Sequence, residues 1–329
     1  MHKVAGSGAP PFSRRALPMD EFAASVITGL SQAQKTVPAR FLYDERGSQL
    51  FEAITGLPEY YPTRAEIEIL HRHSGEIAQR ASRGRVVVEF GSGSSTKTPL
   101  LLDEVDAAAY VPIDISERFL HESALQIRAK YPGLDVLPVG GDFTQIISLP
   151  SKVRGKPALG FFPGSTIGNL APPAAASLLR TFGVSLGADA YLAVGIDLRK
   201  DRRILERAYN DPAGITAAFN LNLVHRMNRE LDGNIPHDAL QHRGIWRDEL
   251  SRVEMHLVAT RDMDFRVAGS FFRMRAGETI HTENSYKYSL SEARLLARVS
   301  GWEPVAAWTD ANALFSLHLW HLAHHQVEP

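Results

Sequence analysis

The feature that most restricts this chain is a repeated order of short apolar runs and helical stretches between residues 85 and 197. Arg85-Val-Val-Val-Glu-Phe90 is a β-branched run of the kind buried on both faces in a parallel sheet. A glycine turn, Gly91 to Lys97, and a helical stretch to Leu102 follow it. Ala109 to Asp114 reads as the next strand and Ser116 to Lys130 as the next helix, and Val136 to Val139 leads to Gly141-Asp142-Phe143. Ala158 to Phe162 is a strand ending in Pro163-Gly-Ser-Thr166, Pro172 to Phe182 is helical, and Ala190 to Ile196 is a strand that stops at Asp197. Strands and helices in alternation predict an α/β fold with a parallel, doubly wound sheet.

The C-terminus departs from that rhythm. Ser289 to Ser300 reads as a helix closed by Gly301, and Trp302 to Trp308 and Ala313 to Leu322 are strands a short turn apart. Two strands so close in sequence predict an antiparallel hairpin added to the parallel sheet. Between Lys200 and Tyr286 the alternation lapses. A helix is expected to start near Asp211-Pro212, with Asp211 as N-cap, and to run through Met227. Strand-like segments follow at Arg252 to Thr260 and Phe265 to Met274. Near the N-terminus, Met19 to Gln34 and Tyr43 to Leu57 carry helical spacing, and Thr63 to Ala81 is a helix capped by Thr63 with Glu66 three residues on. The expected organisation is a loose tail over 1–18, a helical part of a substrate domain over 19–62, a cofactor domain over 63–199 plus 286–329, and an inserted α+β substrate domain over 200–285.

Composition narrows the partners. Lys plus Arg (36) balances Asp plus Glu (37), which argues against a nucleic-acid or anionic-membrane surface and for a small-molecule partner. With no cysteine, disulfides, thiolate metal sites and cysteine nucleophiles are excluded. No apolar run nears the roughly 20 residues a membrane helix needs, and Met1 to Pro18 lacks the apolar stretch of a signal peptide. A cytoplasmic protein is expected, and near-neutral charge is compatible with a monomer.

The turn after the first strand is the candidate cofactor site. Gly91 and Gly93 let backbone approach a ligand closely and present free N–H groups. Glu89 stands at the strand tip, and Asp114 closes the following strand 25 residues later, where an acid receives ribose hydroxyls. Asp142 and Phe143 follow the third strand, placed to accept from an adenine amine and to cover the ring. A nicotinamide cofactor would share the glycines and Asp114. The missing third glycine and the terminal hairpin favour S-adenosylmethionine, because a sulfonium needs no pyrophosphate cradle.

Several strings resemble one family. Phe41-Leu-Tyr-Asp-Glu-Arg-Gly-Ser-Gln-Leu-Phe-Glu52, continuing through Leu57-Pro-Glu-Tyr-Tyr-Pro-Thr-Arg64, is similar to the N-terminal signature of the L-histidine Nα-methyltransferases of ergothioneine biosynthesis. So are Val88-Glu-Phe-Gly-Ser-Gly-Ser-Ser-Thr-Lys97, Phe161-Phe-Pro-Gly-Ser-Thr-Ile-Gly-Asn-Leu170, Gly195-Ile-Asp-Leu-Arg-Lys-Asp201, Phe219-Asn-Leu-Asn222 and Ile280-His-Thr-Glu-Asn-Ser285. The resemblance implies a class I (Rossmann-like) methyltransferase domain and a second domain covering an amino-acid substrate. It implies that Gly91, Lys97, Asp114, Asp142 and Phe143 contact S-adenosylmethionine. Asn169 and Tyr209 would hold the substrate carboxylate, Tyr43 and Tyr60 would lie near the amino-acid head group, and Glu283, Ser285 and Met255 would surround the imidazole. The family carries histidine through three methyl transfers to its betaine, hercynine.

That chemistry suits these residue types. The attacking amine must be neutral, yet a free amino group with a pKa near 8 is largely protonated at neutral pH, and Tyr43 is the candidate to orient its proton route. The rivals are a relative acting on another amino acid, such as tryptophan or tyrosine, with Asn284, Tyr286 and Tyr288 reshaping the pocket, and a catalytically silent S-adenosylmethionine-binding regulator. Asp197 to Asp201 reads as a domain-crossing loop carrying ion pairs and is given no chemical role. His318, His321, His324 and His325 invite a metal hypothesis, but a solvated tail is the expectation, and no metal is assigned.

Overall fold

The computed structural model describes residues 18–323 apart from Ser94. Of the tail expected over 1–18 only Pro18 falls in that range, and His324 and His325 fall outside it. The described chain opens with α1 (Pro18–Leu30), a short strand β1 (Lys35–Thr36) and α2 (Glu45–Thr55). Asp44 starts α2, its carboxylate accepting from the Gly47 N–H at 2.8 Å, one of the donors a first helical turn leaves open. The next helix, α3 (Tyr61–Ala81), corrects the expected cap: it begins after Tyr60, two residues before Thr63, with Pro62 in its first turn, where a missing N–H costs nothing. Glu66 is therefore no capping residue; it is fully buried and pairs with Lys97.

The alternating segment follows as β2 (Val86–Phe90), α4 (Thr98–Val105), β3 (Ala109–Asp114), α5 (Glu117–Lys130), β4 (Val139–Gly140), β5 (Ala158–Phe162), α6 (Pro172–Leu186) and β6 (Tyr191–Asp197). Every residue of β2 is buried because it pairs in parallel with β3 on one edge and β5 on the other. The strand expected at Val136 to Val139 shrinks to two residues, Val136 keeping only an isolated bridge to Tyr110.

Next come α7 (Arg202–Tyr209), α8 (Ile215–Glu230), β7 (Leu240–Arg247), β8 (Arg252–Ala259), β9 (Met263–Val267), β10 (Ser270–Met274) and β11 (Thr279–Tyr286). Asp211 is not the residue before the helix as expected. The loop runs on to Gly214, which takes φ 72°, and Asp211 reaches forward to accept from Ile215 N and Thr216 N at 2.9 and 2.8 Å. The single strand expected over Phe265 to Met274 is a hairpin, turned by Ala268 and Gly269 at φ 49° and 73°. In the second sheet, of order β1-β11-β8-β7, the register of β11 on β8 slips by one residue between His281 and Glu283, a bulge at Thr282.

The chain closes with α9 (Leu290–Val299), β12 (Trp302–Thr309) and β13 (Phe315–Leu322). The strand β13 runs antiparallel to both β12 and β6, completing a seven-stranded sheet of order β12-β13-β6-β5-β2-β3-β4. His318 and His321 belong to this sheet and not to a solvated tail. His318 is fully buried, and burial pushes its imidazole down to about 4. Among the described residues no helix is long and apolar enough to cross a membrane.

Apolar packing defines three cores. Phe90, Phe162, Phe182, Trp302 and Trp320 fill one side of the central sheet, and Ile69, Leu101, Tyr110, Phe161 and Leu317 the other. In the third, Phe22, Val26 and Leu42 from the N-terminal segment pack with Phe219, Leu223, Met255 and Ile280. Helix α3 lies so close to β6 that a Cβ on Gly195 would stand 2.0 Å from Glu66 Oε1, a carboxylate pinned by Lys97 and by Gly164 N. Gly195→Ala is expected to destabilise the fold by roughly 1–3 kcal/mol, the usual cost of overpacking a core, measured by urea unfolding.

Candidate active site

The carboxyl ends of β2, β3 and β5 open onto a cavity of about 660 Å³. Gly91 leaves β2 at φ 73°, and a Cβ there would stand 3.2 Å from the Phe143 ring, so glycine is what lets the ring cover the turn. Asp114 holds the turn from the side, accepting from Gly93 N and Ser116 N, both at 2.9 Å. Asp142 accepts from Thr144 N at 2.9 Å and lines the same cavity. Glu89 also lines it, but one carboxylate oxygen is committed inward, to Thr98 Oγ1 at 2.7 Å and to the Tyr110 hydroxyl. Burial raises Glu89 to about 7 against the lowering effect of those two bonds. Lys97 reaches the cavity with its ammonium 2.5 Å from the buried Glu66. The glycine turn and Asp114 suit an adenosyl ligand: a close backbone approach, a ring to stack on, and an acid at the end of the second strand.

A smaller cavity lies behind this one. Tyr43, Tyr60, Asn169, Tyr209, Met255, Glu283 and Ser285 all line it, so the structure brings together every substrate residue expected from the sequence. Tyr43, Tyr60, Asn169 and Glu283 also line the larger cavity, so the two adjoin across these side chains. Strand alternation on β11 supplies one wall, with Glu283, Ser285 and then Lys287 on a single face, and Met255 is the β8 register partner of Glu283. Asn284 and Tyr286 alternate to the other face, outside the inner cavity; there the Tyr286 hydroxyl accepts from Arg252 at 2.5 Å. Tyr288 packs in the core of the central sheet. Of the three neighbours suspected of reshaping the pocket, Asn284 lines the larger cavity but not the inner one, and Tyr286 and Tyr288 line neither.

The electrostatics of the inner cavity are set by burial. Glu283 has an oxygen, Oε2, that is buried without a partner, and desolvation raises its carboxyl to about 7 despite Lys287 nearby. Burial also raises the Tyr43 and Tyr60 hydroxyls well above their ordinary value, helped at Tyr43 by Glu283 and Tyr209. Both stay protonated near neutrality.

Two charged residues of this wall were not foreseen as site residues. Asp197 ends β6 fully buried, accepting from the Tyr61 hydroxyl, Lys200 and Lys287. Burial alone would raise its carboxyl, and the two lysines outweigh that and hold it below the usual range. Its segment was read as a loop of ion pairs, which it is, but its first residue is part of the cavity. Lys287 donates to Ser285 Oγ at 2.8 Å and Tyr209 Oη at 3.0 Å. The period-two spacing from Glu283 carried the signal for it.

Glu254, His256 and His281 form the one cluster among the described residues with metal-ligand spacing. Glu254 is already gripped by Arg247, Arg252 and His256, so a cation there would face two guanidinium groups.

A parallel sheet closed by an antiparallel hairpin, with a glycine turn and an acid at the ends of its first two strands, is the site of a class I S-adenosylmethionine-dependent methyltransferase. The sequence profile of the S-adenosylmethionine-dependent, histidine-specific methyltransferases matches residues 22–322, and the chain belongs to that family. It is 40% identical over 302 residues to a histidine N-alpha-methyltransferase of Mycobacterium tuberculosis, covering 89% of this chain and 92% of the relative. It is 39% identical to the histidine N-alpha-methyltransferase of Mycolicibacterium smegmatis, with the same coverage of both chains. Ergothioneine biosynthesis protein 1 of Neurospora crassa is 34% identical over 87% of this chain, which spans 33% of that longer protein.

The raised Glu283 carboxyl has a consequence for stability. Its folded value of about 7 lies above the ordinary 4.5, so the folded state holds the proton more tightly. The resulting stabilisation is complete below about 4.5 and is lost as pH rises through 7, up to about 3 kcal/mol for such a shift. Glu283→Gln is expected to abolish that slope, so urea unfolding at pH 5 and pH 8 should show the variant losing less stability than the parent protein.

Proposed function

We propose that this enzyme methylates the α-amino group of free L-histidine, in three successive transfers that end at the betaine hercynine. The observation that carries this reading is Glu283: a buried carboxylate with an unpartnered oxygen, beside a serine hydroxyl, deep in the cavity behind the cofactor site. An imidazole N–H meets the carboxylate, and the hydroxyl meets the other ring nitrogen. A site whose buried partners need both nitrogens rejects side chains that leave them unpaired. Membership of the histidine-specific family supports the same substrate.

S-adenosylmethionine supplies the methyl group from a cationic sulfur, and Glu89, Gly91, Gly93, Lys97, Asp114, Asp142 and Phe143 are the residues we assign to hold it. The protein's own work is alignment, since in-line displacement needs the attacking nitrogen held on axis. Asn169 and Tyr209 fix the substrate carboxylate, Met255 packs on the ring, and Tyr43 orients the amine. With its hydroxyl held protonated by burial, Tyr43 does not act as a base; it orients the amine through a hydrogen bond, and the amine's proton leaves to solvent before each transfer. Tyr60 offers a ring face to the growing positive charge, worth roughly 1–2 kcal/mol when desolvated. The two-unit arrangement we assign follows from this: residues 63–199 plus 286–329 bind the cofactor, and 200–285 with the N-terminal helices enclose the amino acid.

Incubation with isotope-labelled cofactor and each of the twenty amino acids, read by mass, tests the substrate: histidine should gain one, two and then three methyl groups. No product with histidine overturns the reading. Glu283→Ala should weaken histidine binding at least about tenfold, the scale of one lost charged hydrogen bond, and leave the affinity for S-adenosylmethionine within about twofold by calorimetry. Equal losses for both ligands would remove Glu283 from the ring site.

A further inference from the structure

The inner cavity contains a charge that the reading above leaves unused. Lys287 is the one cation among its lining residues. Its side chain is 1% exposed, and all three ammonium protons are directed, to Asp197 Oδ2 at 2.6 Å, Ser285 Oγ at 2.8 Å and Tyr209 Oη at 3.0 Å. Asp197 does not cancel it, because the same carboxylate also pairs with Lys200, itself buried to 6% side-chain exposure. Two ammonium groups thus have one carboxylate, Asp197, within ion-pair distance, with Glu283 acting on Lys287 and Asp310 on Lys200 only from farther off, so positive charge is in local excess next to the Tyr209 hydroxyl.

Enclosed excess charge is costly unless something offsets it. The residues assigned to the substrate carboxylate, Asn169 and Tyr209, are neutral: they orient an anion but do not neutralise it. We infer that Lys287 is the counter-charge for the substrate carboxylate, acting through Tyr209, and so sets the preference of this enzyme for free α-amino acids over their uncharged amides. The inference rests on the substrate reading proposed above. Tyr209 accepts from Lys287 and gives its single proton to Ser285 at 2.7 Å. A phenol that accepts from an ammonium is polarised into a stronger donor. Rotation of that hydroxyl about its C–O bond redirects the proton to a carboxylate, while the ammonium bond to the oxygen is kept. Lys287 is a positioning residue in this scheme, and its distinctive mark is on discrimination between ligands.

Calorimetry with L-histidine and L-histidinamide, in the presence of S-adenosylhomocysteine, provides the test. The parent protein should prefer histidine by about a hundredfold, and Lys287→Met should cut that ratio to about tenfold or less, the scale of one charge-assisted hydrogen bond. Affinity for S-adenosylhomocysteine should stay within about twofold. If Lys287→Met does not fold, Lys200→Met decides, because it removes the same unit of charge without touching Tyr209 or Ser285; it should lower the ratio at least about threefold, less than the direct loss. A ratio that survives substitution, with both ligands weakened equally, assigns Lys287 a structural role and overturns the inference alone. A parent protein that binds no histidine overturns the substrate reading and the inference together.

Discussion

Asp197 is the point at which the parts of this molecule are joined. It ends the last parallel strand, β6, and its carboxylate gathers a tyrosine from α3, a lysine three residues on, and Lys287 from the segment just past β11. Its backbone carbonyl also accepts from Tyr288 N at 3.1 Å. The central sheet, the helix that enters it and the second sheet therefore meet at one buried charge. Such an ion cluster contributes little net stability compared with apolar packing, but removing one member strands the others without solvent. That asymmetry fixes the relative placement of the two sheets, and the inner cavity is the space left between them.

The two cavities divide the chemistry by polarity. Around the glycine turn, backbone N–H groups and carboxylates at strand ends face a roomy, open space. In the inner cavity, aromatic rings from α2, α8 and the segments just before α2 and α3 surround a few buried polar groups: Tyr43, Phe51, Tyr60 and Phe219 contact one another edge-on or tilted. In such a setting each unpaired polar atom is expensive, and Glu283 Oε2 is one of them; on the reading proposed above, it and the Lys287 charge are what a ligand has to match. Asn169, at the end of the short helix Thr166–Asn169 after β5, stands at the passage between the two spaces.

Much of this was legible in the residues. The apolar runs at Val86 to Phe90 and Ala158 to Phe162 read as buried parallel strands because pairing on both edges demands continuous hydrophobicity, and the terminal hairpin read correctly for its short turn. The strands β7 and β11 were not marked. The strand β7 is a sheet edge whose Gln241, Arg243 and Arg247 are exposed, and β11 carries Glu283 and Ser285 into the inner cavity, so neither shows a clean apolar run. The turn at Ala268-Gly269 was hidden inside an apolar run, because a non-glycine at φ 49° leaves no mark in the pattern. At Thr63 and Glu66 a capping spacing was present without the cap, as the tertiary ion pair with Lys97 claimed the glutamate. The residues that line the inner cavity were singled out through the family resemblance. Lys287 escaped because the recognisable motif stops at Ser285, two residues before it.

The slip of register at Thr282 sets the phase of everything after it. Upstream, Ile280 lies opposite Leu257 and faces the core; downstream, Glu283 lies opposite Met255, with one extra residue taken up on β11 alone. Thr282 ties that surplus down by donating to Met255 O at 3.1 Å. In an unbroken ladder the parity would be inverted, and Glu283, Ser285 and Lys287 would all point out of the cavity while Asn284 and Tyr286 turned in. One surplus residue thus acts on the strand as a frameshift acts on a reading frame: the same residues paired on β8 without the bulge would present a different set of side chains to the ligand, with no change in sequence.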